Sequence, residues 1–226
     1  TQLGDDIYFR ATDGTYGAEL WKSDGTEAGT VLVADINPGA TSSYPYELFA
    51  FNGKMYMQAN SNSDEFGYEL WVSDGTSEGT KMLKDIYPGS SPSAPMMMNY
   101  LNNKLFFSAN GSDDRELWST DGTEANTVLF KNIAVNQGAN IVSIYAVSDN
   151  AMLFSANDND NNQELWITDF SEVGTILLKD INSTTSSNPA ALTYIDGKFW
   201  FNANNGIHGL ELWVSDGTAD GTAMLK

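Results

Sequence analysis

The sequence predicts an all-β protein, a β-propeller of four-stranded antiparallel blades, and three observations predict it. Glu-Leu-Trp recurs five times, beginning at Glu19, Glu69, Glu116, Glu164 and Glu211, at steps of 47 to 50 residues. A fixed period of that size marks one supersecondary unit copied along the chain. Within each period, short apolar segments alternate with Gly, Pro, Asn and Asp too densely for a helix of ten residues. Within Glu-Leu-Trp, Leu and Trp point to opposite sides of a strand, so both sides are apolar. A blade packed between two neighbouring blades meets that demand; a single sheet with one wet face does not.

The second repeat shows each element in order. Pro45 to Phe51 reads as a first strand and Asn52-Gly53 as a two-residue hairpin turn. Lys54 to Ala59 is a second strand, followed by a polar loop from Asn60 to Gly67. Tyr68 to Ser73 is a third strand carrying Glu69, Leu70 and Trp71, and Thr80 to Ile86 is a fourth, ended by Pro88-Gly89. Further first strands are expected at 95–101, 141–147 and 189–195, and second strands at 7–11, 104–109, 151–156 and 198–203.

The chain reads as one domain, 1–226, with repeats at about 1–39, 40–89, 90–138, 139–183 and 184–226. The first repeat begins at its second strand, with Thr1-Gln2-Leu3 where a first strand belongs, so about nineteen strands are expected. A five-bladed ring with an incomplete first blade is the favoured reading; a piece of a longer repeat array is the other.

Between the third and fourth strands stands Ser/Thr-Asp-Gly-Thr, with Asp24, Asp74, Asp121 and Asp216. The Gly supplies positive φ, and the carboxylate is placed to accept turn N–H groups. Thr30, Thr80, Thr127, Thr175 and Thr222 open the fourth strand, where a β-branch suits the pleat. The fourth repeat keeps Asp169 but has Phe170-Ser171 for Gly-Thr, which predicts a different turn and a local contact surface. In the third, Asn126 replaces the second Gly, as a residue that tolerates the left-handed region.

These residues resemble the bacterial ELWxxDGT repeat proteins. The signature is complete from Glu19 to Thr26, Glu69 to Thr76, Glu116 to Thr123 and Glu211 to Thr218, and covers nearly the whole chain. The resemblance implies a part of a large secreted or surface protein, and no particular reaction.

The composition narrows the function. With 30 acidic and 11 basic residues the net charge is −19, which repels nucleic acid and anionic lipid. No apolar run is long enough to span a membrane, no signal peptide is evident, and Thr1 reads as the start of a mature or trimmed chain. There is no cysteine and one histidine, His208, so ordinary zinc ligation and thiol chemistry are not available.

The repeated Glu19, Trp21, Glu69, Trp71, Glu116, Trp118, Glu164, Trp166, Glu211 and Trp213 read as structure, like the turn aspartates. Five equivalent carboxylates suit a repeated hydrogen bond to backbone amides better than an acid and a base, which need unequal surroundings. No catalytic residue or required cofactor is assigned. Calcium is the candidate ion, at Asp158, Asp160 and Asn162 in a loop of alternating oxygens, with weaker echoes at 110–114 and 61–65. Ordinary Asn/Asp turn chemistry also accounts for that loop. For a saccharide, the loop aromatics Tyr16, Tyr44, Tyr46, Phe66, Tyr87 and Phe170 are the stacking candidates.

The resulting expectation is a non-catalytic binding or structural module, extracellular or on a bacterial cell surface, within an adhesion protein that binds glycan or protein. The alternative is an extracellular propeller enzyme acting on polysaccharide, a glycosidase or lyase. A third reading is assembly, by strand addition at the first blade or through further repeats of a longer chain.

Overall fold

The computed structural model describes residues 1–61, 65–112, 114–134, 138–141, 143–148, 151–158, 160 and 162–225. The described residues form strands, turns and bends with no helix, so none is long and apolar enough to cross a membrane. They make five antiparallel sheets, each four strands in sequential order. The first contains β1 (Gln2–Leu3), β2 (Asp6–Ala11), β3 (Glu19–Ser23) and β4 (Val31–Ala34). The second contains β5 (Tyr46–Phe51), β6 (Lys54–Ala59), β7 (Glu69–Ser73) and β8 (Lys81–Lys84). The third has β9 (Met96–Leu101), β10 (Lys104–Gly111), β11 (Asp114–Thr120) and β12 (Val128–Lys131). The fourth has β13 (Ser143–Ser148), β14 (Ala151–Asn157), β15 (Gln163–Thr168) and β16 (Ile176–Lys179). The fifth has β17 (Ala190–Ile195), β18 (Lys198–Asn204), β19 (Leu210–Ser215) and β20 (Ala223–Met224).

The first sheet does have a first strand. Gln2 and Leu3 pair with Ile7 and Asp6, which brings the described strands to twenty rather than nineteen. The Asn52-Gly53 hairpin has φ of 48° and 71°, the two left-handed residues that match the twist of its strands. Every Glu of Glu-Leu-Trp stands opposite a small Ala at or near the end of the second strand, as Ala11 opposite Glu19 and Ala109 opposite Glu116.

The cores lie between consecutive sheets. Leu20 and Tyr8 of the first sheet pack on Met55, Met57 and Trp71 of the second, and Leu70 and Tyr56 of the second on Leu105 and Phe107 of the third. Leu117 and Phe106 pack on Met152 and Phe154, and Leu165 and Leu153 on Phe199, Phe201 and Trp213. Leu and Trp thus serve different boundaries, as their alternation requires. The remaining two faces, one on the first sheet and one on the fifth, expose Ile7 (56%) and Leu212 (47%). Among the described residues these two faces are not buried against each other, as closure of the favoured five-bladed ring would require.

The turn before each fourth strand is built twice over. Asp24 Oδ1 accepts the Thr26 N–H (2.9 Å) and the Thr26 hydroxyl (2.7 Å), while Thr26 Oγ1 accepts the Gly29 N–H (2.9 Å). The Thr30 hydroxyl donates to the Thr26 carbonyl at 2.7 Å and meets Ser23 Oγ at 2.7 Å. Its one proton being used on the carbonyl, the Ser23 hydroxyl donates to it. Thr30 lies just before β4, as Thr80 lies before β8, so its hydroxyl rather than its β-branch is what the repeat uses.

Two expectations about this turn change. Phe170 makes the same turn as the glycines. Its φ is +69°, its N–H donates to Thr168 Oγ1 at 3.0 Å, and Ser171 takes the place of Thr on Asp169. The second Gly of the signature is needed for room and not for a left-handed backbone: a Cβ at Gly29, Gly79, Gly174 or Gly221 would run into the aspartate carboxylate. Asn126 fits the third copy because its side-chain amide donates to Asp121 Oδ2 at 2.7 Å.

Candidate functional site

The repeated glutamates anchor the connectors between sheets, and one of these connectors carries the candidate site. Glu19, Glu69, Glu116 and Glu164 are buried, and each reaches the connector that leads into the next sheet. Glu19 Oε2 accepts the Ile36 N–H (2.9 Å) and the Ser43 hydroxyl (2.5 Å), and its Oε1 accepts the Ser43 N–H (2.7 Å). Glu69 repeats this with Ile86 and Ser93, and Glu164 with Ile181 and Ser187. Glu116 accepts the N–H groups of Ile133 and Ala139. Burial raises the carboxyls of Glu19, Glu69 and Glu164 above their ordinary value, and the serine hydroxyl and connector amides partly offset that. Oxygens bonded to backbone amides in four equivalent places are not arranged as an acid and base pair. Glu211 is half-buried on β19 opposite Ala203.

The Trp residues split into two behaviours. The indole N–H groups of Trp166 and Trp213 donate to the Ala156 and Ala203 carbonyls at 3.2 and 3.1 Å. Trp21, Trp71 and Trp118 use their rings for packing, with Nε1 unpartnered.

The Glu19 latch delivers a site at the first boundary. It fixes Ser43, and the next residue, Tyr44, turns with φ of +47° while its N–H donates to the Ala18 carbonyl at 3.0 Å. This turn brings Tyr44 and, two residues on, Tyr46 to the surface beside Arg10 of β2. The Arg10 guanidinium lies 4.9 Å from the Tyr46 ring centre and 5.9 Å from that of Tyr44, within cation–π range. Gln58 and Tyr68 complete a cleft of about 380 Å³. Burial raises the Tyr68 phenol above its ordinary value, the neighbouring Tyr44 adds to this, and Arg10 opposes it. Among the described residues Arg10 makes no ion pair. The cleft therefore offers aromatic faces, a cation without a carboxylate partner and an amide.

The cleft breaks the repeat. Laid in register, Tyr44 corresponds to Ala94, Asn140 and Asn188, and Arg10 to Gln58, Ser108, Ser155 and Asn202. At the next boundary the same place is closed by Arg115, whose guanidinium donates to the Ala94 carbonyl (3.1 Å) and Ser108 Oγ (3.0 Å). Of the six loop aromatics singled out in the sequence, the structure brings Tyr44 and Tyr46 together. Phe170 is taken up by a ring contact with Phe106, centres 5.2 Å apart, and Tyr87 lines a separate cavity of about 280 Å³. Arg10, Gln58 and Tyr68 are missed by a search of loops because they lie in or beside strands. The signal that finds them is the register comparison.

For calcium, Asp158 Oδ1 accepts the N–H groups of Asp160 and Asn162, both at 2.9 Å, so this oxygen already shapes the loop. No group of three or more acidic or histidine ligands occurs among the described residues. Positions 159 and 161 lie outside the described residues, as do 62–64 and 113 of the weaker echoes. His208 is exposed, its Nδ1 3.0 Å from Asn205 Nδ2.

No family model and no curated protein matches the chain. Solved structures do. A puromycin hydrolase aligns with 99% of this chain and 38% of its own, at TM-score 0.61 and 12% identity. Prolyl oligopeptidase B from Galerina marginata aligns with 98% of this chain and 32% of its own, at TM-score 0.60 and 9% identity. The chain thus spans about a third of the peptidases it matches, and the likeness is to their β-propeller domains, so the five sheets are blades of a propeller-like fold.

Proposed function

We propose that the protein is a non-catalytic binding module of a bacterial surface or secreted adhesion protein of the ELWxxDGT type, and that it binds a saccharide in the cleft between its first two blades. The observation that carries this reading is the cluster of Tyr44, Tyr46 and Tyr68 around Arg10 and Gln58, with Ala or Asn in the other repeats at the Tyr44 position and Gln, Ser or Asn at the Arg10 position. Sugar rings stack their C–H faces on tyrosines, and an Arg and a Gln supply directional donors to hydroxyl or carboxylate oxygens. The test is calorimetric titration with ligands selected on a glycan array. Tyr46→Ala is expected to weaken binding at least tenfold without lowering the melting temperature, because Tyr46 is 54% exposed. Unchanged affinity in Tyr46→Ala and Arg10→Gln together rules the cleft out.

Calcium at Asp158, Asp160 and Asn162 belongs to the same proposal, as an ion that would rigidify an acidic loop of an extracellular protein. Binding to the folded state raises the melting temperature by mass action. A rise of several degrees with calcium over chelator, lost in Asp158→Asn, is the expected result; identical melts remove calcium from the reading.

A further inference from the structure

Each internal boundary joins the same two faces. One, the leading face, carries the Leu of Glu-Leu-Trp; Leu20, Leu70, Leu117 and Leu165 are all 0% exposed there. The other, the trailing face, carries the first apolar residue of the second strand and the Trp. Met55, Leu105, Met152 and Phe199 are 0%, 0%, 0% and 3% exposed at that strand position. The fifth blade has a leading face with nothing on it: Leu212 at 47% and Leu225 at 50%, with Trp200 and Val214 half-buried beside them. The first blade has a bare trailing face: Ile7 at 56%, with Phe9 and Trp21 half-buried. At the Leu position and at the first apolar position of the second strand, the two bare faces carry the residue types that are 0–3% exposed at the four boundaries inside the chain.

We propose that these faces bind each other between two copies of this chain, the fifth blade of one docking on the first blade of the next in the geometry of the internal boundaries. Continuity supports this: the interface already exists four times in the molecule, and these 226 residues leave one uncovered half of each kind. Contact is face to face, through Leu212 and Ile7, and not by addition of a strand at an edge. The contact is heterologous, so it propagates head to tail until a ring closes. A net charge of −19 on each copy opposes association, and salt screens that repulsion. Association therefore strengthens as ionic strength rises, the reverse of an interface held by ion pairs.

Sedimentation velocity over a wide range of protein concentration, at low and high salt, tests the proposal. The weight-average mass is expected to rise with concentration, and further with salt. Ile7→Lys or Leu212→Lys alone holds the chain as a monomer, with a melting temperature close to that of the parent because both positions are exposed. Mixing these two variants restores one good interface per pair, so the mixture stops at dimers. A monomer at every concentration and salt overturns the proposal, as does association that persists in both variants. The chain has no cysteine, so Ile7→Cys/Leu212→Cys reports the remaining arrangement. A disulfide formed within single copies at high dilution means that the chain closes on itself, which also overturns it.

Discussion

A single residue pair, Phe106 and Phe170, shows how neighbouring blades agree on their side chains. In the second and third blades the left-handed turn position is Gly75 or Gly122, and a Cβ there would meet the hydroxyl of Tyr8 or Tyr56 from the preceding blade. In the fourth blade the preceding residue is Phe106, which has no hydroxyl, and Phe170 fills the room at φ +69°. The strain of a bulky left-handed residue is offset by its ring contact. Phe106→Tyr returns the hydroxyl to a place now occupied by a ring. The expected cost is about 1–3 kcal/mol, read as a drop of about 3–10 °C in the melting temperature. Phe170→Gly in the same chain should recover most of it. A double-mutant cycle with no coupling between the two positions would sink this account.

The latch and the turn are elements with opposite responses to acid. Burial holds Glu19, Glu69 and Glu164 above their ordinary value of 4.5. The folded state then binds more protons than the unfolded one between 4.5 and the raised values, so stability falls as pH rises through that window and grows on acidification from neutral. The turn aspartates behave the other way. Asp24, Asp74, Asp169 and Asp216 lie below 3.8 because a Thr or Ser hydroxyl and then a backbone N–H bond the carboxylate; Asp121 gains an added bond from Asn126. Their contribution is present above 3.8 and is lost as pH falls through the depressed values. Melting temperature at high fixed salt should therefore peak between the two ordinary values and fall on either side. Glu69→Gln, which cannot titrate, should flatten the neutral arm. A wild-type profile level from pH 7 down to 4.5 would refute the raised carboxyls.

At the scale of the molecule, what was legible in the sequence is what the repeat copies. Strand order and the two-sided use of Leu and Trp follow from spacing and pleat, so five repeats state them five times, and the Asn52-Gly53 hairpin follows from its turn chemistry. The short β1 was not legible, because Gln2 and Leu3 show no strand pattern and pair only since β2 offers an edge. The reason for Gly29 was hidden as well. Only the fold shows that a carboxylate occupies the space its Cβ would need. The cleft was half visible: Tyr44 and Tyr46 stand out in a loop, whereas Arg10, Gln58 and Tyr68 become a site only when one blade lies on another.

The glutamate latches have a mechanical consequence. Each of the four buried carboxylates grips backbone 17 residues ahead and again 23 or 24 residues ahead, at a serine in three cases and at Ala139 in the fourth. The grip spans the seam between blades, so tension along the chain meets it before the next blade's strands can peel away. The clasp itself is shielded from water, which blunts competition for its hydrogen bonds until the seam opens. A chain latched in this way would give way blade by blade under load, with each seam acting as a separate catch.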